Sequence, residues 1–388
     1  MTRSQQLSFL SASLGVLTIA NAMCDGATPT QNATEPIWPT KEWQTSTAEE
    51  EGMDSKELAK LVDWGTAHGF HCLLVVRHGK IVAEVYYSPD NYGPGNVHPV
   101  YSVTKSVIGT LTAIAWKDGV LDSLNHRVLD FFDRRIVANI DPRKEAITVQ
   151  NLLDMTSGLA WTEQLGGITP PIETDSQLDN SPDWVKFILD RSMSSTPGAV
   201  FNYDSGNPHL LSAILTKLTG ISALNYAKAK LFGPLGIGDV SWTYDPQGIP
   251  NGGWGLYLQP RDMAKIGYLY LQNGMWEGKQ VLPPEWVHKV SNPTVETHLM
   301  QGFWYSNFFW SLPDKHVYMA LGRYGQAIII FPDLDVVAVT TGHKAYSPGE
   351  FANAISGSVK SDTAIPADVA AEKLLANKIL EVATEKPH

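Results

Sequence analysis

The stretch Pro99–Ala115, PVYSVTKSVIGTLTAIA, constrains this chain more than any other. Val107, Ile108, Leu111, Ile114 and Ala115 recur at helical spacing, which predicts a helix that starts near Ser102 and buries one face. Ser102 and Lys105 then stand about one turn apart on neighbouring surface. A serine in a first turn sits where backbone N–H groups lack helical partners, and those groups favour negative charge near its oxygen. A lysine on the same face can draw off the hydroxyl proton if burial lowers its pKa. Taken alone, the pattern is also that of a capping serine beside a solvated lysine.

Length and composition narrow the setting. With 388 residues and 43% hydrophobic content, the chain can build a large core in one big domain or two closely packed ones. A formal charge of -11 and the lack of any basic stripe argue against a nucleic-acid partner. Residues 1–22 read as a secretory signal: Arg3, an apolar run from Leu7 to Ala20, and a small-x-small site at Ala20-Asn21-Ala22. The run is too short and serine-rich for a stable membrane span, so a periplasmic or secreted location is expected. Residues 23–50 form an N-terminal extension. Cys24 raises the alternative of a lipid anchor, against which Met23 stands as a poor neighbour. Cys24 and Cys72 could pair in an oxidising compartment, although Cys72 sits in an apolar run as a small core residue would. No Cys/His spacing suits a metal.

Period-two segments lie at both ends of the chain and helical patterns fill the middle. Cys72–Val76 and Ile81–Tyr87 form a hairpin about His78-Gly79. Phe303–Trp310, Val317–Ala320, Gln326–Phe331 and Val336–Thr341 read as later strands, and Ser181–Asp190 and Pro260–Leu271 as two of the helices between. The expected architecture is α/β: an antiparallel sheet flanked by helices from residues 51–119 and 300–388, with a mainly α domain, 120–299, inserted. Ser102 would open into the cleft between them.

Two more elements could complete a site. Tyr203 follows an extended segment begun by Pro197-Gly198; near a lysine ammonium its anion would be favoured, and it could pass a proton to a leaving group. It could equally be a half-buried tyrosine with one hydrogen bond. Gly322–Gln326, GRYGQ, precedes the strand AIIIFP; the N–H groups of Arg323 and Ser102 could hold an oxyanion there, or the segment could be a plain glycine-rich bend.

Four stretches carry a family resemblance: Ser102-Val103-Thr104-Lys105, Leu152–Leu159 (LLDMTSGL), Phe201–Ser205 (FNYDS) and Phe232–Ile237 (FGPLGI). With Gly278–Trp286 and Gly322–Pro332 they make the chain resemble the serine hydrolases that include class C β-lactamases, D-alanyl-D-alanine carboxypeptidases, related esterases and the 6-aminohexanoate-dimer hydrolase, over roughly residues 55–360. The resemblance implies a β-lactamase/transpeptidase-like fold and an acyl-enzyme on Ser102. It implies acid and base work by Lys105 and Tyr203, and an oxyanion hole from the N–H groups of Ser102 and Arg323. No metal or organic cofactor is implied.

The departures bear on substrate. Penicillin-active members carry Tyr-x-Asn where this chain has Tyr203-Asp204-Ser205, and Lys/His-Thr/Ser-Gly where it has Ala320-Leu321-Gly322. The pattern is nearest the esterase and 6-aminohexanoate-dimer hydrolase branch, so the expected substrate is a carboxylic ester or small linear amide. Trp161, Ser205, Trp254, Gly322 and Tyr324 are the candidate substrate contacts, with Tyr257 beside them. A penicillin-recognising enzyme that uses Arg323 in place of the missing clamp is one alternative, and a non-catalytic binding protein of the same fold is another. Oligomeric state is not readable.

Overall fold

Val336–Gly342, VVAVTTG, is buried at every position, and Phe70–Arg77, FHCLLVVR, at nearly every one. Apolar runs without alternation belong to strands covered on both faces. The two pair antiparallel, which joins the early hairpin to the late strands in the middle of one sheet. The computed structural model describes residues 36–87, 89–163 and 173–384. The expected leader, and Cys24 with its lipid and disulfide alternatives, lie outside them; Cys72 is a buried free thiol.

The sheet has nine strands in the order Gln44–Thr45, Lys80–Tyr86, Phe70–Arg77, Val336–Gly342, Gln326–Phe331, Val317–Gly322, Phe309–Leu312, Trp304–Ser306 and Val295–Glu296. It is not wholly antiparallel as expected: the edge strand Gln44–Thr45 runs parallel to Lys80–Tyr86. His78 and Gly79, both at positive φ, make the tight hairpin turn. Helices Ser55–Ala67 and Val369–Thr384 pack together and against the early hairpin, and Pro260–Leu271 packs on the central strands. The helix expected at Ser181–Asp190 is shorter, Trp184–Leu189, because Asp183 and not Ser181 caps it, accepting from Lys186 N.

Phe303–Trp310, expected as one strand, is a hairpin. Trp304–Ser306 pairs with Phe309–Leu312 around Asn307 and Phe308, at φ 51° and 65°. A bulky residue at positive φ is rare, and no glycine or proline marks the turn. Tertiary contacts hold it: Phe308 N donates to Leu153 O (2.9 Å), Asn307 N to Asp154 Oδ1 (3.1 Å), and Ser106 Oγ to Phe308 O (2.6 Å).

The last of these contacts comes from the central helix, Val103–Lys117. All its residues from Val103 to Ala115 are buried, so the expectation of a single buried face is corrected. The helix is enclosed by Gly206–Thr219, by the strand Val317–Gly322 and by the turn at Asn307. Its hydroxyls suit that position because each has a partner: Thr110 donates to Ser106 O and Thr112 to Ile108 O, while Thr104 Oγ1 accepts from Leu256 N. Lys105 is the one charge in its interior.

Candidate active site

The backbone turns sharply into the central helix. Tyr101, at φ 47°, links the short strand His98–Pro99 to Ser102 at the helix N-cap. A non-glycine residue in this region stores strain, and the turn leaves the Ser102 side chain free of any capping bond. Its Oγ instead accepts from Lys105 Nζ at 2.9 Å, and Nζ also donates to the Gly253 carbonyl at 2.8 Å. Lys105 is 1% exposed. Burial lowers its pKa from 10.5 to about 8, against the opposing pull of Glu163, Asp204 and Asp175.

Tyr203 stands over the same amine, with its ring centroid 4.8 Å from Lys105 Nζ, and stacks on Trp310 at 5.7 Å. The Ser102 hydroxyl lies against the phenol. Burial and the negative charge of Glu163 nonetheless push the phenol well above its ordinary range. The anion that proximity to lysine was expected to favour is therefore disfavoured, because desolvation outweighs the attraction. Burial thus favours the neutral phenol at Tyr203.

Gly322 ends its strand directly beside the turn that carries Ser102. A Cβ at this position would lie 2.3 Å from Val100 O and 3.2 Å from Ser102 N, so only glycine allows the approach. Among the described residues no backbone carbonyl accepts from Ser102 N–H. Arg323 follows in a tight turn, its guanidinium 5.4 Å from the Tyr324 ring. Tyr324 is 41% exposed, at φ 62°, with its ring edge-to-face on Tyr101 at 5.4 Å.

The remaining expected contacts divide. Ser205 is buried with both its N–H and its hydroxyl given to Glu163 (2.9 and 2.6 Å), which leaves that hydroxyl no donor for a substrate. Trp161 is also tied to Glu163 through its indole N–H (2.9 Å); its other surface joins Phe201, Val200 and Arg191 in lining an open groove of about 490 Å³. Trp254 is half-buried and packs on Trp184 at 5.6 Å. Tyr257 lies on the strand Leu256–Leu258, opposite Pro99.

Glu163, Gly253 and Trp310 were not singled out as site residues in the sequence. Gly253 and Trp310 left no signal, since a carbonyl acceptor and a stacking partner are made by the fold. Glu163 left a weak one, a carboxylate two residues beyond Trp161 and just after LLDMTSGL. Asp204 was noted only as a departure. Its Oδ1 accepts from the N–H groups of Gly206 and Asn207 at a helix start, while burial and Glu163 raise its carboxyl to about 8.

A family profile described as beta-lactamase matches residues 55–356. A 6-aminohexanoate-dimer hydrolase of Paenarthrobacter ureafaciens is 24% identical over 284 residues, covering 69% of this chain and 70% of the relative. Among solved structures, a Bacillus anthracis protein provisionally assigned as a 6-aminohexanoate-dimer hydrolase superposes with a TM-score of 0.65 at 21% identity, over 89% of this chain and 88% of that one. EstCE1, described as a hydrolase with promiscuous acyltransferase activity, does so with a TM-score of 0.62 at 16% identity, over 79% and 99%. The α/β fold is thus β-lactamase/transpeptidase-like, of the serine-hydrolase type shared with esterases and amidases. With the profile spanning most of its length, the chain belongs to the beta-lactamase family.

Proposed function

We propose that the protein is a serine hydrolase that cleaves a carboxylic ester or small linear amide through an acyl-enzyme on Ser102. The observation that carries this reading is the buried amine of Lys105, 2.9 Å from Ser102 Oγ, with its pKa drawn down to about 8. In its neutral form Lys105 takes the Ser102 proton as Oγ attacks the carbonyl carbon. The oxyanion rests on the N–H groups of Ser102 and Arg323. Tyr203 gives its proton to the departing alcohol or amine, and the Lys105 ammonium restores it. Water then attacks the acyl carbon, losing its proton to the Lys105 amine, and the acid leaves as Ser102 Oγ regains that proton.

The substrate class draws support from two sides. The relative named above is, by its name, a hydrolase of the 6-aminohexanoate dimer, and the strand end Ala320-Leu321-Gly322 offers neither a cation nor a hydroxyl for a β-lactam carboxylate. Among the described residues no helix is long and apolar enough to cross a membrane, and the leader-like residues 1–22 support export to the periplasm or beyond. The test is labelling by a fluorophosphonate together with hydrolysis of p-nitrophenyl acetate and butyrate. Wild type should show both, and Ser102→Ala neither. Unchanged turnover in Ser102→Ala would end the proposal, and stoichiometric acylation by a fluorescent penicillin without ester turnover would replace it with penicillin recognition.

A further inference from the structure

Behind the loop that holds Lys105 lies a fully buried histidine–aspartate pair. His209, in the helix Gly206–Thr219, has Nε2 3.1 Å from Asp245 Oδ2, and neither side chain is exposed. The second carboxylate oxygen, Oδ1, accepts from Gln247 N (2.9 Å) and Ile249 N (2.8 Å), closing the turn that leads into Asn251. Across the ring, Gly252 N–H points at His209 Nδ1 at 3.5 Å. These contacts select one tautomer. Nδ1 can accept only if it carries no proton, so the imidazole hydrogen sits on Nε2 and is donated to Asp245.

Gly252 is followed by the carbonyl that matters. Gly253 O takes one N–H of Lys105, and Asn251 Oδ1 accepts from Gly253 N and Trp254 N (2.9 and 3.2 Å). The backbone is pressed against the helix so closely that a Cβ on Gly252 would lie 2.2 Å from Pro208 O. A neutral amine has two N–H bonds and one lone pair; fixing one N–H on a rigid carbonyl limits where the lone pair points.

We propose that His209 and Asp245 are positioning residues for the base: through the Gly252 N–H they hold the Gly253 carbonyl where it turns the Lys105 lone pair toward Ser102. The inference rests on the reading of Ser102 and Lys105 as nucleophile and base. The groups that face Lys105 are Ser102, Tyr203, Glu163, Asp204 and Asp175; those that face His209 are Asp245 and the Trp184 ring, edge-on at 5.1 Å.

Asp245→Asn separates positioning from mere packing. The turn needs an acceptor for Gln247 N and Ile249 N, so the amide oxygen takes that side and its NH₂ faces His209. Nε2 must then accept, the proton moves to Nδ1, and two donors oppose each other at Gly252. Fluorophosphonate labelling of Ser102 should slow by about tenfold or more, as expected for a histidine forced into the wrong tautomer. KM for p-nitrophenyl butyrate should change little. The Lys105 titration, followed by NMR of its Cε, should move to lower pH, because the ammonium loses an acceptor. His209→Gln, which can accept from Gly252 and donate to Asp245 with no tautomer to invert, should fall less than Asp245→Asn. An unchanged Lys105 midpoint in Asp245→Asn overturns the proposal, even if stability falls, since that is the result of packing alone. If the wild type were not labelled at Ser102, the nucleophile reading would fail by itself, and the NMR midpoint would still decide whether the pair controls Lys105.

Discussion

Two lysines, Lys105 and Lys144, are each 1% exposed, and the groups their amines meet differ. Lys144 Nζ donates to two backbone carbonyls, those of Ala138 and Leu189, both at 2.7 Å. Lys105 Nζ meets one carbonyl and one hydroxyl. Carbonyls only accept, so Lys144 is held as a donor and ties two loops together. A hydroxyl can reverse its role, so Lys105 can receive a proton from the group to which it now donates. Burial lowers both pKa values, and nearby carboxylates oppose it in both cases: Glu163, Asp204 and Asp175 at Lys105, Asp190 and Asp141 at Lys144. Burial alone therefore does not suit a lysine to the proposed role of base; the chemistry of its second partner does.

That contrast can be broken most directly at the lysines. Lys105→Ala should cut ester turnover and Ser102 labelling by about 10³-fold, in line with the loss of a general base. Lys144→Met should leave the labelling rate of folded protein unchanged. It should cost about 2–4 kcal/mol in denaturant unfolding, since two buried carbonyls lose their donor. Equal loss of activity in both variants would abolish the distinction.

Tyr203→Phe comes next, with an expected drop of about 10²-fold in turnover as the leaving group loses its proton donor. Labelling by a reagent with a good leaving group should suffer less. The pH dependence sharpens the picture further. The base acts as the free amine, so the labelling rate should rise with pH through about 8, the value to which burial brings Lys105. The smallest effect is expected from Glu163→Gln. The Glu163 charge favours the Lys105 ammonium, so its removal should shift that rise to lower pH by a fraction of a pH unit. A shift to higher pH would mean that Glu163 acts on the site by some other route.

Much of the fold was legible because its signals are local. The hairpin about His78-Gly79, the late strands and the helix after Ser102 follow from apolar spacing and turn residues. The Asn307-Phe308 turn was not legible, because its positive φ values are held by Asp154, Leu153 and Ser106, residues distant in the chain. Glu163 escaped for a similar reason: its partners Ser205 and Trp161 reveal it only once they are folded around it. The Ser205 hydroxyl, read as a substrate contact, is directed at that carboxylate instead.

By itself the sequence determined the order of elements and the spacing of Ser102 and Lys105, because helical periodicity and motif order are properties of neighbours along the chain. Tertiary structure alone decided the protonation chemistry. The lowered pKa of Lys105 and the raised pKa of Tyr203 both come from water being excluded by segments far apart in sequence, and desolvation is a property of the assembled interior.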